Sequence, residues 1–176
     1  MADPTPADRH VYGDPLAPVT VLEYGDLECP YCRAADPVLR ELVDTSSGRV
    51  RLVWRHFPLF EVHPHALTAA LASEAAAAHG LFWEMHDDLM SHQDRLADRD
   101  LRAAARSLGL DPDEVAGDAA QRFARAVQDD YTAGVAAGVT GTPTIFVGGV
   151  RYTGRPDVRR LREAVDLVTT DVVPGG

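Results

Sequence analysis

The chain of 176 residues contains no lysine and no asparagine, a single isoleucine at Ile145, and two cysteines. All 17 of its basic side chains are therefore arginine. Two cysteines cannot build a disulfide scaffold, so whatever they do is local. Without asparagine there is no N-glycosylation acceptor. Lysine, asparagine and isoleucine have AT-rich codons, and their scarcity points to a high-GC bacterial genome. Long apolar runs are missing too. The nearest, residues 133–150, is interrupted by five glycines and Pro143, well short of the ~18 apolar residues of a membrane span. Residues 1–18 hold four prolines, three aspartates and no apolar centre, unlike a secretory signal. The expectation is a soluble, cytoplasmic chain without a membrane partner.

What is present is ordinary for a globular protein: 45% hydrophobic and 25% charged residues, enough to bury a core in one domain or one domain with an insertion. The formal charge of -10 argues against nucleic acid, because phosphates would be repelled over most of the surface.

Local patterns alternate between two characters. Val19 to Tyr24 is a β-rich run between Pro18 and Gly25 and predicts a strand. A helix should follow from Pro30, with Val38, Leu39, Leu42 and Val43 at helical spacing and Pro37 kinking it. A second strand over residues 50–57 completes a βαβ unit with a parallel pair. Residues 64–137 then read as helices. Leu67, Ala70, Leu71 and Ala78 should form a small-residue face, residues 81–90 and 98–108 two further helices, and residues 118–136 a longer one. Asp111 to Glu114 resembles a capping box. Strand signals return in residues 144–147 and 150–152, joined by Gly148-Gly149 as a hairpin, and an amphipathic helix should bury Val158, Leu161, Val165 and Val168. The arginines at 151, 155, 159, 160 and 162 read as a solvated face, and Trp54, Phe82, Trp83 and Met85 as core.

Cys29-Pro30-Tyr31-Cys32 lies at the predicted strand-to-helix junction. The thiolate is the nucleophile in disulfide exchange, and a free cysteine of pKa ~8.5 is mostly protonated at neutral pH. A helix start offers unpaired N–H groups and the positive end of the dipole to the sulfur of Cys29. Cys32, one turn on, is placed to close a disulfide with it. Two other readings remain open at this point. One is half a zinc site completed by two of His56, His63, His65, His79, His86 and His92, although a second CxxC is missing. The other is a pair of ordinary buried cysteines. Further along, Thr142-Pro143 directly precedes a strand, a position where proline can take the cis form.

Taken in this order, residues 21–24 leading into Cys29-Pro30-Tyr31-Cys32, the turn Gly141-Thr142-Pro143-Thr144 and the helices between the two halves resemble the DsbA-like thioredoxin-fold family, in its actinobacterial form. The resemblance implies an α/β thioredoxin fold, residues 1–62 and 138–176, interrupted by a helical insertion, residues 63–137. It implies a thiol–disulfide oxidoreductase needing no cofactor or metal. Cys29 would be the exposed attacking thiol, Cys32 the buried resolving thiol, and Glu23 the buried acid that moves a proton to or from it. Pro30, Tyr31, Thr142 and Pro143 would meet the substrate, with the Thr142 backbone pairing to an extended chain. Partners would be a protein or small molecule carrying a disulfide or dithiol, and a redox protein that recycles the pair. A chaperone or peptide-binding module of the same fold, without turnover, is the alternative.

Two departures from the family's pattern carry chemistry. DsbA has a histidine before its second cysteine, where this chain has Tyr31, and Asp26 and Glu28 add negative charge nearby. The expected pKa of Cys29 is therefore nearer ~7 than the ~3.5 of DsbA, and the disulfide less oxidising than DsbA's ~-120 mV. Glu23, if buried, should have a raised pKa, and with no lysine in the chain only an arginine or a histidine could balance it.

Overall fold

A computed structural model describes residues 9–170; residues 1–8 and 171–176, the outer ends of the two predicted thioredoxin-like segments and part of the region judged for a secretory signal, lie outside it. The sheet has five strands in the order β1-β3-β2-β4-β5. They are β1 (His10–Tyr12), β2 (Val19–Gly25), β3 (Val50–His56), β4 (Thr144–Val147) and β5 (Val150–Tyr152). Strands β2 and β3 run parallel, with Glu23 beside Trp54, and β4 lies antiparallel on the other side of β2, with Ile145 beside Glu23. The parallel pair needs a crossover, and α1 (Pro30–Asp44) supplies it. The sequence-based reading missed β1, a three-residue edge strand antiparallel to β3, too short to carry a period-2 signal.

Between β3 and β4 come α2 (Ala66–Ala77), α3 (Phe82–Ser91), α4 (Asp98–Ser107) and α5 (Ala124–Ala136), and α6 (Val158–Thr170) closes the described chain. The structure corrects two expectations here. Residues 117–123 form a 3-10 segment, so the predicted helix over 118–136 is α-helical only from Ala124, and residues 112–114 are turns instead of a capped first turn. In α2, Leu67 points outward at 42% exposure, while Ala66 and every residue from Ala69 to Ala76 are buried. That helix is packed on all sides, which its alanines permit because they let neighbouring backbones approach closely.

Among the described residues, the two larger apolar clusters do most of the packing. One places α1 and α6 on the sheet through Leu39, Leu42, Leu52, Ile145, Leu161 and Val165, each fully buried aliphatic side chain contributing about 1.5–3 kcal/mol. The other joins Trp54 of β3 to the helices through Phe82, Met85, Leu89 and Leu101, and it includes both cysteines. Gly25 lets this indole pass: a Cβ there would lie 2.2 Å from Trp54 Cη2. The hairpin turn is as expected, with Gly148 and Gly149 both at positive φ, 54° and 82°, the conformation a two-residue turn of type I′ demands.

Candidate active site

Strand β2 ends at Gly25, a short turn follows, and α1 begins at Pro30, so Cys29 occupies the N-cap in extended conformation (φ -77°, ψ 121°). Proline suits this place because its missing N–H would be unpaired in the first turn anyway. The sulfur of Cys29 meets the Thr142 carbonyl oxygen at 3.5 Å, so the loop before β4 faces the start of α1. The peptide between Thr142 and Pro143 is cis. Cys29 and Cys32 are both free thiols.

Cys29 is only 2% exposed, which corrects the expectation of an exposed thiol. It belongs to the apolar cluster of Leu27, Trp54 and the helical insertion, and Thr142 stands against its sulfur. Its pKa nevertheless falls to about 6. The hydrogen bond from the Cys32 thiol is the main cause; the Thr142 side chain and the N–H groups of Cys32 and Tyr31 add to it, against the opposing effect of burial. The Thr142 hydroxyl is buried and without a hydrogen-bond partner among the described residues, free to donate to a thiolate. Cys32 behaves in the opposite way. It is wholly buried, and desolvation, the bond it gives Cys29 and the nearby Glu23 push its pKa well up.

Glu23 lies under this pair, 1% exposed, with neither carboxylate oxygen hydrogen-bonded among the described residues. Desolvation raises its pKa well above the ordinary carboxylate range, and Asp36 and Cys29 push it the same way. The cation acting on it is Arg40, on the same helix as Cys32, Asp36 and itself tied to Asp36 at 3.0 Å and to Asp87. An arginine thus stands where a lysine was impossible, but its charge is shared with two other carboxylates.

Asp26 and Glu28 do not act as the sequence suggests. The buried Asp26 carboxylate accepts the Glu28 N–H at 2.7 Å, the Leu59 N–H at 2.8 Å and His63 Nδ1 at 2.7 Å. Glu28 accepts the His65 N–H at 2.7 Å. Both acids are therefore engaged with the loop after β3, and neither is among the main influences on Cys29. The backbone of Asp26 reaches the cysteines as well: its N–H donates to Cys32 Sγ at 3.4 Å and its carbonyl accepts the Cys29 N–H at 3.0 Å. Gln93, beyond α3, donates to the carbonyls of Leu27 and Cys29 at 3.0 and 2.9 Å, so the helical insertion also holds this turn. Gln93 had no sequence signal as a site residue, and His63 was singled out only as one of six histidines that could complete a zinc site, because their partners are 64 to 66 and 37 positions away.

A cavity of about 660 Å³ adjoins α1, lined by Pro30, Tyr31, Ala34, Thr142, Pro143 and Arg155 among others, and Tyr31 is 71% exposed at its edge. All four positions expected to meet a substrate therefore line one cavity.

The described residues with metal-ligand spacing are His10, His56 and Glu74, a group without either cysteine. The Trp54 indole N–H donates to His56 Nδ1 at 3.2 Å, which leaves the ring proton of His56 on Nε2, facing Glu74 at 3.1 Å. His56 offers Glu74 a proton there instead of offering a cation a lone pair.

A thioredoxin-like oxidoreductase from Silicibacter pomeroyi is 29% identical, each chain covering 94% of the other, with a TM-score of 0.81. DsbA2 of Pseudomonas aeruginosa is 27% identical over 98% of this chain and 100% of its own, with a TM-score of 0.71. BdbD of Bacillus subtilis shares the fold at a TM-score of 0.79 and 24% identity, over 91% of this chain and 92% of its own. Among curated sequences, proteins named Na(+)/H(+) antiporter NhaA are similar: 50% identity for NhaA 3 of Salinispora tropica and 40% for NhaA 1 of Mycolicibacterium gilvum, each over 92% of this chain. The chain spans about a quarter of the length of these curated relatives, 25% and 27%. The family model described as Thioredoxin matches residues 5–167, nearly all of the sheet and helices built around Cys29 and Cys32, and the chain belongs to this thioredoxin family, on its DsbA-like side.

Proposed function

We propose that the chain is a thiol–disulfide oxidoreductase in which Cys29 and Cys32 exchange with the disulfide of a substrate. One observation carries this reading: two free thiols at the start of α1 are driven apart in acidity, Cys29 down to about 6 and Cys32 well up. A packed structural pair has no need of that asymmetry, whereas exchange needs one thiolate and one retained proton.

The Cys29 thiolate attacks one sulfur of the substrate disulfide. A Cys29–substrate disulfide forms and the other substrate sulfur leaves as a thiolate, which takes a proton from solvent. Cys32 then gives its proton to the Glu23 carboxylate and attacks Cys29, and the second substrate sulfur departs. The substrate gains two electrons and the enzyme ends as the Cys29–Cys32 disulfide. Run backwards, the steps oxidise a dithiol. A pKa raised well above the ordinary carboxylate range suits Glu23 to holding the proton for part of the cycle. Substrate chains lie against Pro30, Tyr31, Thr142 and Pro143, and the Thr142 backbone pairs with them. In a compartment with reduced thiols, such as the cytoplasm, the pair works as a reductase or isomerase and a second redox protein returns its electrons.

Insulin reduction driven by a small dithiol tests this. Cys29→Ser is expected to fall to the uncatalysed background. Full activity in that variant overturns the mechanism. A wild type without turnover, paired with a Cys29→Ser/Cys32→Ser variant that keeps peptide affinity, would instead identify a binding module.

A further inference from the structure

Tyr31 leaves the dipeptide between the cysteines without a cation, yet a titratable ring stands beside the site from elsewhere in the chain. The Asp26 side chain is wholly buried, and of its three donors the N–H groups of Glu28 and Leu59 are neutral. His63 is the third, at 2.7 Å, and it alone among them can bring a charge. A bond to a carboxylate places a proton on Nδ1, and a second proton on Nε2 makes the ring an imidazolium. Asp26 also binds Cys32 Sγ and the Cys29 N–H through its backbone. A single residue therefore ties the ring to the Cys32 sulfur and to the backbone of Cys29, and the bond spans the loop after β3 and the turn before α1.

We propose that His63, held by Asp26, is a positioning residue that supplies a positive charge to the cysteine pair and tunes the Cys29–Cys32 couple from outside the CxxC motif. This rests on the exchange reaction proposed above and names a residue that sets its poise. The groups acting on the ring from the active-site turn are Asp26, Cys29 and Glu28. All three favour its charged form, and together they outweigh the partial burial that opposes it. Its own segment carries Glu61, which is exposed, and His65, whose N–H is on Glu28. Coupling is reciprocal. If the Cys29 thiolate favours protonated His63, removing that thiolate by forming the disulfide must make the ring easier to deprotonate.

The first measurement needs no variant: titrate the His63 ring by NMR in reduced and in oxidised protein. The midpoint is expected to be higher in the reduced form by about half a pH unit or more; identical midpoints overturn the proposal. The second follows the ultraviolet absorbance of the thiolate. In His63→Gln the Cys29 midpoint should rise, with roughly a threefold smaller thiolate-to-thiol ratio near neutral pH, and His63→Arg should restore it. An unmoved midpoint in a folded His63→Gln protein likewise overturns it. Neither readout uses turnover, so a chain inactive on insulin would defeat the exchange reading while leaving this coupling separately measurable.

Discussion

Two buried clusters of ionisable groups differ in how they are satisfied. At the junction of β1, β3, α2 and α5, the wholly buried Asp130 accepts Arg9 Nη2 at 2.6 Å, Arg55 Nη1 at 2.9 Å and the His56 N–H at 3.1 Å. Glu74 beside it binds His10 at 2.7 Å, His56 at 3.1 Å and Arg9 at 3.1 Å. Around the start of α1, by contrast, the Glu23 carboxylate and the Thr142 hydroxyl have no hydrogen-bond partner among the described residues. Cys32 and Glu23 both have raised proton affinities. The first arrangement suits a joint between sheet and helical insertion. The second leaves protons loosely placed, which costs stability and suits proton transfer.

Breaking the joint should have the largest effect. Asp130→Ala takes a wholly buried carboxylate away from the Arg9 and Arg55 guanidinium groups and the His56 N–H, and a loss of about 3–5 kcal/mol in chemical denaturation is expected. The thiol reactivity of the molecules that remain folded should hardly change. A loss below 1 kcal/mol would mean that the ion pairs there are incidental.

Glu74→Gln should cost less, about 2 kcal/mol at neutral pH, and should reshape the acid limb of stability. The bonds to His10 and His56 hold the Glu74 carboxyl well below the usual range despite burial, which opposes them. A depressed carboxyl stabilises the fold above its unfolded pKa, near ~4.3, and that contribution is lost as pH falls through the folded value. Burial also lowers the pKa of His10, against the pull of Glu74, so its protonation adds a penalty from below its ordinary value near ~6.5. The wild type should therefore lose stability as pH falls below neutral, and below ~4.3, where the Glu74 carboxyl titrates, more steeply than Glu74→Gln. Parallel curves would refute the linkage.

Glu23→Leu sharpens the contrast from the other side and has the smallest expected effect on stability. Removing an unsatisfied buried carboxyl should stabilise the fold by about 1 kcal/mol at neutral pH, while the resolving step of disulfide exchange slows. Here the folded pKa is raised. The wild type's contribution from Glu23 is then complete below ~4.3 and declines as pH rises towards the folded value. A variant that is less stable at neutral pH would show that Glu23 has a partner the geometry does not reveal.

Much of this was legible in local sequence. The strands from Val19 and Val50, the hairpin at Gly148-Gly149 and the helices opening at Pro30 and near Leu81 follow from patterns spanning a few residues. So do Cys29, Cys32 and the facing Pro143, whose chemistry is written in residue type. What escaped was non-local. Edge strand β1 is defined by its pairing with β3. The 3-10 segment before α5 packs against α2 through Ala120 and Phe123, a contact no window of sequence contains. The weight of Asp26 was also misjudged: its carboxylate is taken up by the Glu28 and Leu59 N–H groups and by His63, and it is not among the main influences on Cys29.

By itself, the sequence determined that two cysteines with proline between them start a helix in a sheet protein with a helical insertion, because helix periodicity, turn chemistry and thiol reactivity are properties of short segments. Only the tertiary structure decided which charges those thiols meet. Arg40 beside Glu23 and His63 beside Asp26 come together through packing. A charge acts through distance and burial in space, quantities that separation along the chain does not fix.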